Sequence, residues 1–294
     1  MTKLTVKTEA PLLAYLFAQL PALPKTKIKQ TLKFGSIRVN GIITTRHDHP
    51  LKPGDLIELL NKQSALVYKQ KTRLGFPIVY EDKDLLVIDK PAGLLSMGTA
   101  TEKARTAYFK LTDYVRAGGD NRIFIVHRLD RDASGLLVFA KNESAKNFLQ
   151  TNWDKADKKY YAVVEGAPEE ASGTIENYLV EDKFRRVYSI PEPAPGAKHA
   201  VTRYHVIRHG GPFSLLDVEL VTGRKNQIRV HLADLGHPII GDEKYGSRYN
   251  PAGRLGLHAY ALSFEHPTGG KAMRFQSALP SALSKLFSPA RSKA

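Results

Sequence analysis

The chain has 294 residues, 42% of them hydrophobic, enough for about two domains with sizeable cores. It has no cysteine, which excludes disulfides, thiolate nucleophiles and cysteine-based zinc sites and fits a reducing cytoplasm. Lysine and arginine number 44 against 29 acidic residues, a net charge of +15 that favours a polyanionic partner, because each neutralised phosphate releases condensed counterions.

Leu12 to Leu23 is the stretch closest to a signal-peptide core, but Gln19 and Pro21 interrupt it and Glu9 flanks it, so it reads as a folded helix. No segment approaches the ~20 apolar residues a membrane span requires. Pro11 suits a first helical turn, and Leu12, Leu13, Leu16, Phe17 and Leu20 mark one apolar face. Thr26 is placed to cap a second helix carrying Ile28 and Leu32, with Gly35 as its stop. Ile37 and Val39 alternate as in a strand, Asn40-Gly41 is a hairpin turn, and Pro53-Gly54-Asp55 turns into the strand-like Leu56–Leu59. Lys25, Lys29 and Lys33 recur every four residues and share a helical face, with Lys27 and Arg38 nearby. A lysine stripe on such a unit, in so basic a chain, is expected to contact RNA.

Residues 63–75 are polar and basic and read as a linker. Beyond them the pattern turns β-rich, with short apolar runs at Ile78–Tyr80, Leu85–Ile88, Leu136–Ala140, Tyr161–Val164 and Leu215–Val221. Helices are expected at Thr101–Ala117, Ser144–Gln150 and Asn226–Leu235. Asp182 to His199, with three prolines, reads as a long loop or irregular hairpin tip. The Ser288–Ala294 tail reads as frayed.

Several short blocks could carry chemistry. His127-Arg128-Leu129-Asp130 lies in a polar loop between two apolar runs, a common setting for functional groups, although its Arg-Leu-Asp triplet alone also suits a surface ion pair. Gly223-Arg224 with Gln227-Ile228-Arg229 could bind phosphate or hold a carboxylate in an arginine fork, or simply open an amphipathic helix. Lys158-Lys159-Tyr160 lies on a half-buried strand, and Asp89-Lys90-Pro91-Ala92-Gly93 is a turn after a buried one.

Taken in order, these blocks resemble the RluA family of pseudouridine synthases from about Pro77 to Phe287. Ser134-Gly135, Lys198-His199-Ala200, Gly236-His237-Pro238, Gly241-Asp242 and Leu257-His258-Ala259 belong to the same match. The chain departs from the family at Ala133, where Thr is usual, and at Asn226, where His is usual. Residues 1–62 resemble the small RNA-binding domain named after ribosomal protein S-four, through Lys25–Gln30, Gly35–Gly41 and Pro53-Gly54-Asp55. The resemblance implies an α+β protein. Its catalytic domain, residues 76–294, would hold a mixed, mostly antiparallel sheet, preceded by a small α/β RNA-binding domain with an alpha-L motif.

It further implies conversion of uridine to pseudouridine in structured RNA, with ribosomal RNA the first expectation and tRNA the second. Breaking and re-forming the glycosidic link involves no net redox change or hydrolysis, so no cofactor or metal is expected. Asp130 would be the catalytic carboxylate, either as nucleophile on the ribose or as base on a neighbouring carbon. Arg229 would pair with it as a bidentate fork, and Tyr160 would stack near the base and take part in proton removal. Arg128 would fill the space vacated by the flipped uridine, with help from His127. Lys90, Lys158 and Arg224 would contact phosphates. A monomer in the cytoplasm is expected. A non-catalytic ribosome-assembly factor would not need Asp130, Tyr160 and Arg229 together. A nucleosidase would want a second carboxylate, and Asp132 is poorly spaced for that.

Overall fold

The computed structural model describes residues 2–60, 62–119 and 122–287, so the tail from Ser288 to Ala294 lies outside the described residues. The chain divides into two units, one of residues up to Gly75 with a segment from Thr112, the other of Phe76–Leu111 and the chain from Arg122.

The first unit contains β1 (Thr2–Thr5), β2 (Ala10–Pro11), α1 (Leu12–Gln19), α2 (Lys25–Lys33), β3 (Ile37–Val39), β4 (Ile42–Ile43), β5 (Pro50–Leu51), β6 (Leu56–Leu59) and α3 (Lys62–Arg73). Four strands pair antiparallel in the order β1-β6-β3-β4, and β2 pairs with β5. Leu12 and Leu16 of α1 pack with Ile28 and Leu32 of α2 and with Ile37 and Ile57 of the sheet. That packing leaves Lys25, Lys27, Lys29 and Lys33 exposed on α2. Asn40 and Gly41 have φ of 51° and 81°, the left-handed pair that a two-residue hairpin needs to match the strand twist.

Two expectations change here. Thr26 does not cap α2; the helix starts at Lys25, directly after extended Pro24, and no side chain caps it. Residues 62–73 are helix rather than irregular linker. Their lysines, glutamines, alanine and leucine are strong helix formers, and Gly75, with φ of 75°, follows as a left-handed stop.

The second unit begins with β7 (Ile78–Glu81), β8 (Leu85–Lys90), the start of α4 (Ala107–Gly118, whose residues from Thr112 belong to the first unit), β9 (Phe124–Ile125), β10 (Ser134–Ala140) and α5 (Glu143–Thr151). It continues through β11 (Asp157–Glu165), β12 (Ser172–Glu181), β13 (Val187–Ile190), β14 (Lys198–Gly210), β15 (Phe213–Leu220), α6 (Gln227–Asp234), β16 (Leu257–Glu265), β17 (Ala272–Gln276) and α7 (Ser281–Ser284). Its strands form one sheet in the order β13-β12-β14-β15-β11-β16-β10-β8-β7, with β9 on β10 and β17 on β16. Every pairing is antiparallel except β10 with β16, which meet in parallel at Ser134↔His258 and Gly135↔Ala259. The expected α+β architecture with a mixed, mostly antiparallel sheet is therefore the one observed.

Helix α4 starts at Ala107, not Thr101. The Glu102 carboxylate accepts the Ala104 and Arg105 N–H groups (3.0 and 2.9 Å), holding that stretch in a turn. Thr106 then caps the helix by accepting the Phe109 N–H at 3.1 Å. The segment expected to be irregular from Asp182 to His199 contains β13, paired with β12. Val187, 3% exposed, fixes that strand by packing beside Val230 and Tyr245.

Candidate functional site

All seven residues of β10 are buried, so the chain must leave the core abruptly where the polar loop His127–Ala133 meets Ser134. Gly135 permits the close parallel contact there. Its φ is 113°, and a Cβ would fall 2.2 Å from the Ala259 carbonyl oxygen.

Two buried polar side chains hold the loop from within. Ser96 donates to the Leu129 carbonyl (2.7 Å) and accepts the Leu129 N–H (3.1 Å). The fully buried Lys90 points its ammonium at four carbonyls: Pro91 (3.0 Å), Leu94 (2.8 Å), Arg131 (3.0 Å) and Ala133 (2.6 Å). Asp130 thus sits between two residues whose backbones are pinned. Burial pulls the Lys90 pKa down to about 7, opposed by the charges of Asp132 and Asp130. Lys90 is therefore not a phosphate contact, because its head group faces inward and is occupied.

Asp130 opens onto a cavity of about 510 Å³ that His127, Arg128, Lys158, Tyr160, Arg224 and Arg229 also line. Arg229, on the first turn of α6, donates from Nη1 to Asp130 Oδ2 at 3.1 Å. This joins residues 99 positions apart and leaves the Asp130 side chain 30% exposed. The expected bidentate fork exists, but it goes elsewhere. Arg229 Nε and Nη2 clamp the two oxygens of Asp242 at 2.7 and 2.8 Å. Asp242 is 2% exposed, so the doubly bonded partner is the one fully withdrawn from water.

Around that pair, Asn226 accepts from Arg229 Nη1 (3.3 Å) and donates to the Tyr245 hydroxyl (2.9 Å), while the guanidinium lies 5.0 Å from the Tyr245 ring centroid. Asn226 occupies the left-handed conformation (φ 55°) at the N-cap of α6, which asparagine tolerates better than most side chains. Gln227 secures the preceding turn. Its carbonyl oxygen accepts from the Thr222 hydroxyl and the Arg224 N–H (2.8 and 3.0 Å), and its amide nitrogen donates to Val201 O at 2.9 Å.

Tyr160 lies on β11, 8% exposed, and its pKa is pushed up, first by burial and then by the Asp130 charge. It is a neutral phenol in the cavity wall and not a ready phenolate base. His127 accepts the Val138 N–H through Nε2 (3.2 Å) and stacks on Trp153 with centroids 4.3 Å apart. Burial, and secondarily Lys158, pulls its pKa down to about 3, so it is a neutral structural residue rather than an RNA-binding cation. Lys158 is 7% exposed and donates to the Trp153 carbonyl at 2.9 Å, which turns it from an expected phosphate contact into part of the wall. Arg128 and Arg224 are exposed at the cavity. The Arg128 guanidinium rests 3.9 Å from the Met97 sulfur, and Arg224 Nε donates to the His199 carbonyl at 3.0 Å.

Sequence reasoning assigned no role to Asp242, Ser96 or Tyr245. Gly241-Asp242 was visible as a motif, and a buried arginine must find a buried acid. Which acid, across 13 residues and an intervening turn, the pattern alone does not say.

The assembled site offers a fixed, accessible carboxylate beside an aromatic wall, with exposed cationic side chains at the opening. That arrangement suits a flipped nucleotide whose sugar faces the acid. The RNA pseudouridylate synthase family matches residues 84–234. The chain belongs to that family and is an RNA pseudouridine synthase. The uncharacterized RNA pseudouridine synthase YlyB of Bacillus subtilis is 34% identical over 270 residues, 90% of this chain and 88% of that one. Ribosomal large subunit pseudouridine synthase D of Vibrio cholerae is 34% identical over 282 residues, 87% of this chain and 83% of that one. Among solved structures, human RNA pseudouridylate synthase domain containing 1 aligns with a TM-score of 0.60 and 27% identity, covering 73% of this chain and 89% of that one.

Proposed function

We propose that this enzyme isomerises specific uridines of large-subunit ribosomal RNA, with Asp130 as the reacting carboxylate. The observation that carries the reading is the Asp130–Arg229 pair, 3.1 Å apart and facing the cavity. One charge-assisted bond orients the acid, and the remaining exposure leaves it able to meet the ribose or its neighbouring carbon. The ribosomal target is supported by relatives in Vibrio cholerae and Haemophilus ducreyi, both called ribosomal large subunit pseudouridine synthase D.

In this reading Tyr160 packs the uracil as a neutral ring, and Arg229 positions Asp130. Arg128 occupies the gap left in the RNA stack, and Arg224 meets a phosphate. Extracting the uridine costs roughly a few kcal/mol, which contacts to the rest of the RNA must offset. Residues 1–62 supply such contacts as an S-four-like domain through Lys25, Lys27, Lys29, Lys33 and Arg38. Of these, Arg38 is also bonded to Glu58 at 2.9 Å. The enzyme works as a cytoplasmic monomer.

Purified protein should form pseudouridine in an unmodified large-subunit ribosomal RNA transcript without added cofactor, mapped by chemical modification and primer extension. Asp130→Ala should bind the transcript and form none. Wild-type rates in that variant would remove Asp130 from the chemistry, and modification of a tRNA transcript alone would move the target.

A further inference from the structure

The largest exposed hydrophobic side chain of the second unit, by fraction of its surface, is not in the cavity. Phe184, 79% exposed, stands at the turn between β12 and β13. An exposed phenyl on a loose loop would mean little, but this turn is built. Asp182 accepts the Phe184 and Arg186 N–H groups at its side chain, both at 2.8 Å. Its backbone N–H donates to Arg186 O and its carbonyl accepts from Arg185 N, both at 2.9 Å. Arg185 holds a φ of 62°, an unfavourable conformation for a side chain of that size. The turn is also anchored from outside, by Lys244 donating to Arg185 O (3.3 Å) and by the ion pair of Lys225 with Glu181.

We propose that this tip is a base-stacking contact, in which Phe184 receives an unpaired RNA base flanking the target uridine. The surroundings select RNA over a protein partner. Lys183, Arg185, Arg186, Lys225 and Lys244 are all exposed about the tip, and Lys183 lies 5.1 Å from the phenyl centroid. A π-face set among cations fits a ligand that alternates bases with phosphates. The tip is also keyed to the reacting acid. Arg186 and Arg229 pack on the same Tyr245 ring, at 5.9 and 5.0 Å, and Lys225 lines the cavity. A base held on Phe184 would therefore fix the register of the strand entering the cavity. This deepens the reading of the cavity as the place where a uridine reacts.

The test uses the full chain, with total RNA from cells lacking the protein as the probe, so that every natural target is present and unmodified. Phe184→Ala and Phe184→Leu should raise KM for RNA about 5- to 100-fold while kcat stays within about twofold. Phe184→Trp should keep a KM near wild type, and RNA should quench its indole emission beyond the quenching of the native Trp153. Thermal midpoints should not move, because the side chain is exposed. A wild-type KM in Phe184→Leu, an unquenched indole, or a fall in kcat at unchanged KM would overturn the stacking role. The target assignment fails separately, by the identity of the RNA modified. Indole quenching repeated in an Asp130→Ala background reads the tip without any catalysis.

Discussion

Arg229 turns the two-pronged edge of its guanidinium to Asp242 and offers Asp130 a single N–H. The arginine is thus anchored by one acid in order to orient another. Because Asp242 neutralises and fixes it, the Asp130 carboxylate need not be sequestered and keeps an open face to the cavity.

It follows that Asp242→Asn should slow pseudouridine formation about 10- to 100-fold in single turnover, since a displaced Arg229 no longer sets the geometry of Asp130. RNA affinity should hardly change. Asp242→Ala should also destabilise the fold by about 3–5 kcal/mol, because it strands a largely buried guanidinium. Full activity in Asp242→Asn would show that Arg229 does not need its anchor.

Lys90→Met should keep the size of the side chain and lose the ammonium that gathers four carbonyls. Buried acceptors left without donors cost about 1–3 kcal/mol each before relaxation, so a net loss of roughly 2–4 kcal/mol is expected in urea unfolding. Catalysis should fall further than stability alone explains, while RNA affinity at low temperature stays near wild type. A drop in affinity with unchanged catalysis would restore Lys90 as an RNA contact.

A pH dependence follows from His231, which is fully buried between Thr202 Oγ1 and Asn177 Oδ1, each at 2.9 Å. Burial pulls its pKa down to about 4. The unfolded chain takes up a proton below about 6.5 and the folded chain only near 4, so between those values the unfolded state binds more protons. The stabilising contribution is complete above about pH 6.5 and is lost as pH falls to 4, by up to about 3 kcal/mol. Urea midpoints at pH 7 and pH 4.5 should separate less in His231→Gln than in wild type. Equal separation would mean that other groups dominate acid unfolding.

Lys25, Lys29 and Lys33 are exposed along α2. Replacing all three by alanine should reduce the slope of log affinity against log salt by about two to three, at ~0.7–0.9 per phosphate contact. The rate of modification at saturating RNA should be preserved. An unchanged slope would dismiss the first unit as the main source of affinity.

The architecture was legible because the apolar runs at Leu85–Ile88, Leu136–Ala140 and Leu215–Val221 alternate or stay buried as strands must. The Asn40-Gly41 hairpin was legible for a similar reason, since few residue pairs accept two positive φ angles. Asp130, Tyr160 and Arg229 were singled out through the order of motifs, and the structure brings all three to one cavity. Misreadings arose where burial decides a side chain's fate. Lys90, Lys158 and His127 are basic in any sequence count, yet here they bond inward. The Arg229 fork was assigned to the wrong acid because charge pairing over long range depends on which carboxylate is desolvated. Helix α3 was missed because a polar, basic composition describes a helix as well as a linker.

The position of β16 in the sheet bears on biosynthesis. This strand, Leu257–Glu265, enters between β10 and β11, the strand after the Asp130 loop and the strand bearing Tyr160. The two strands pair with β16 and not with each other, so nothing in the sheet joins them until β16 arrives, although both are translated about a hundred residues earlier. A nascent chain therefore carries every proposed reacting group well before it has a site. It should remain inert toward the RNA around it until residues 257–265 have cleared the ribosome.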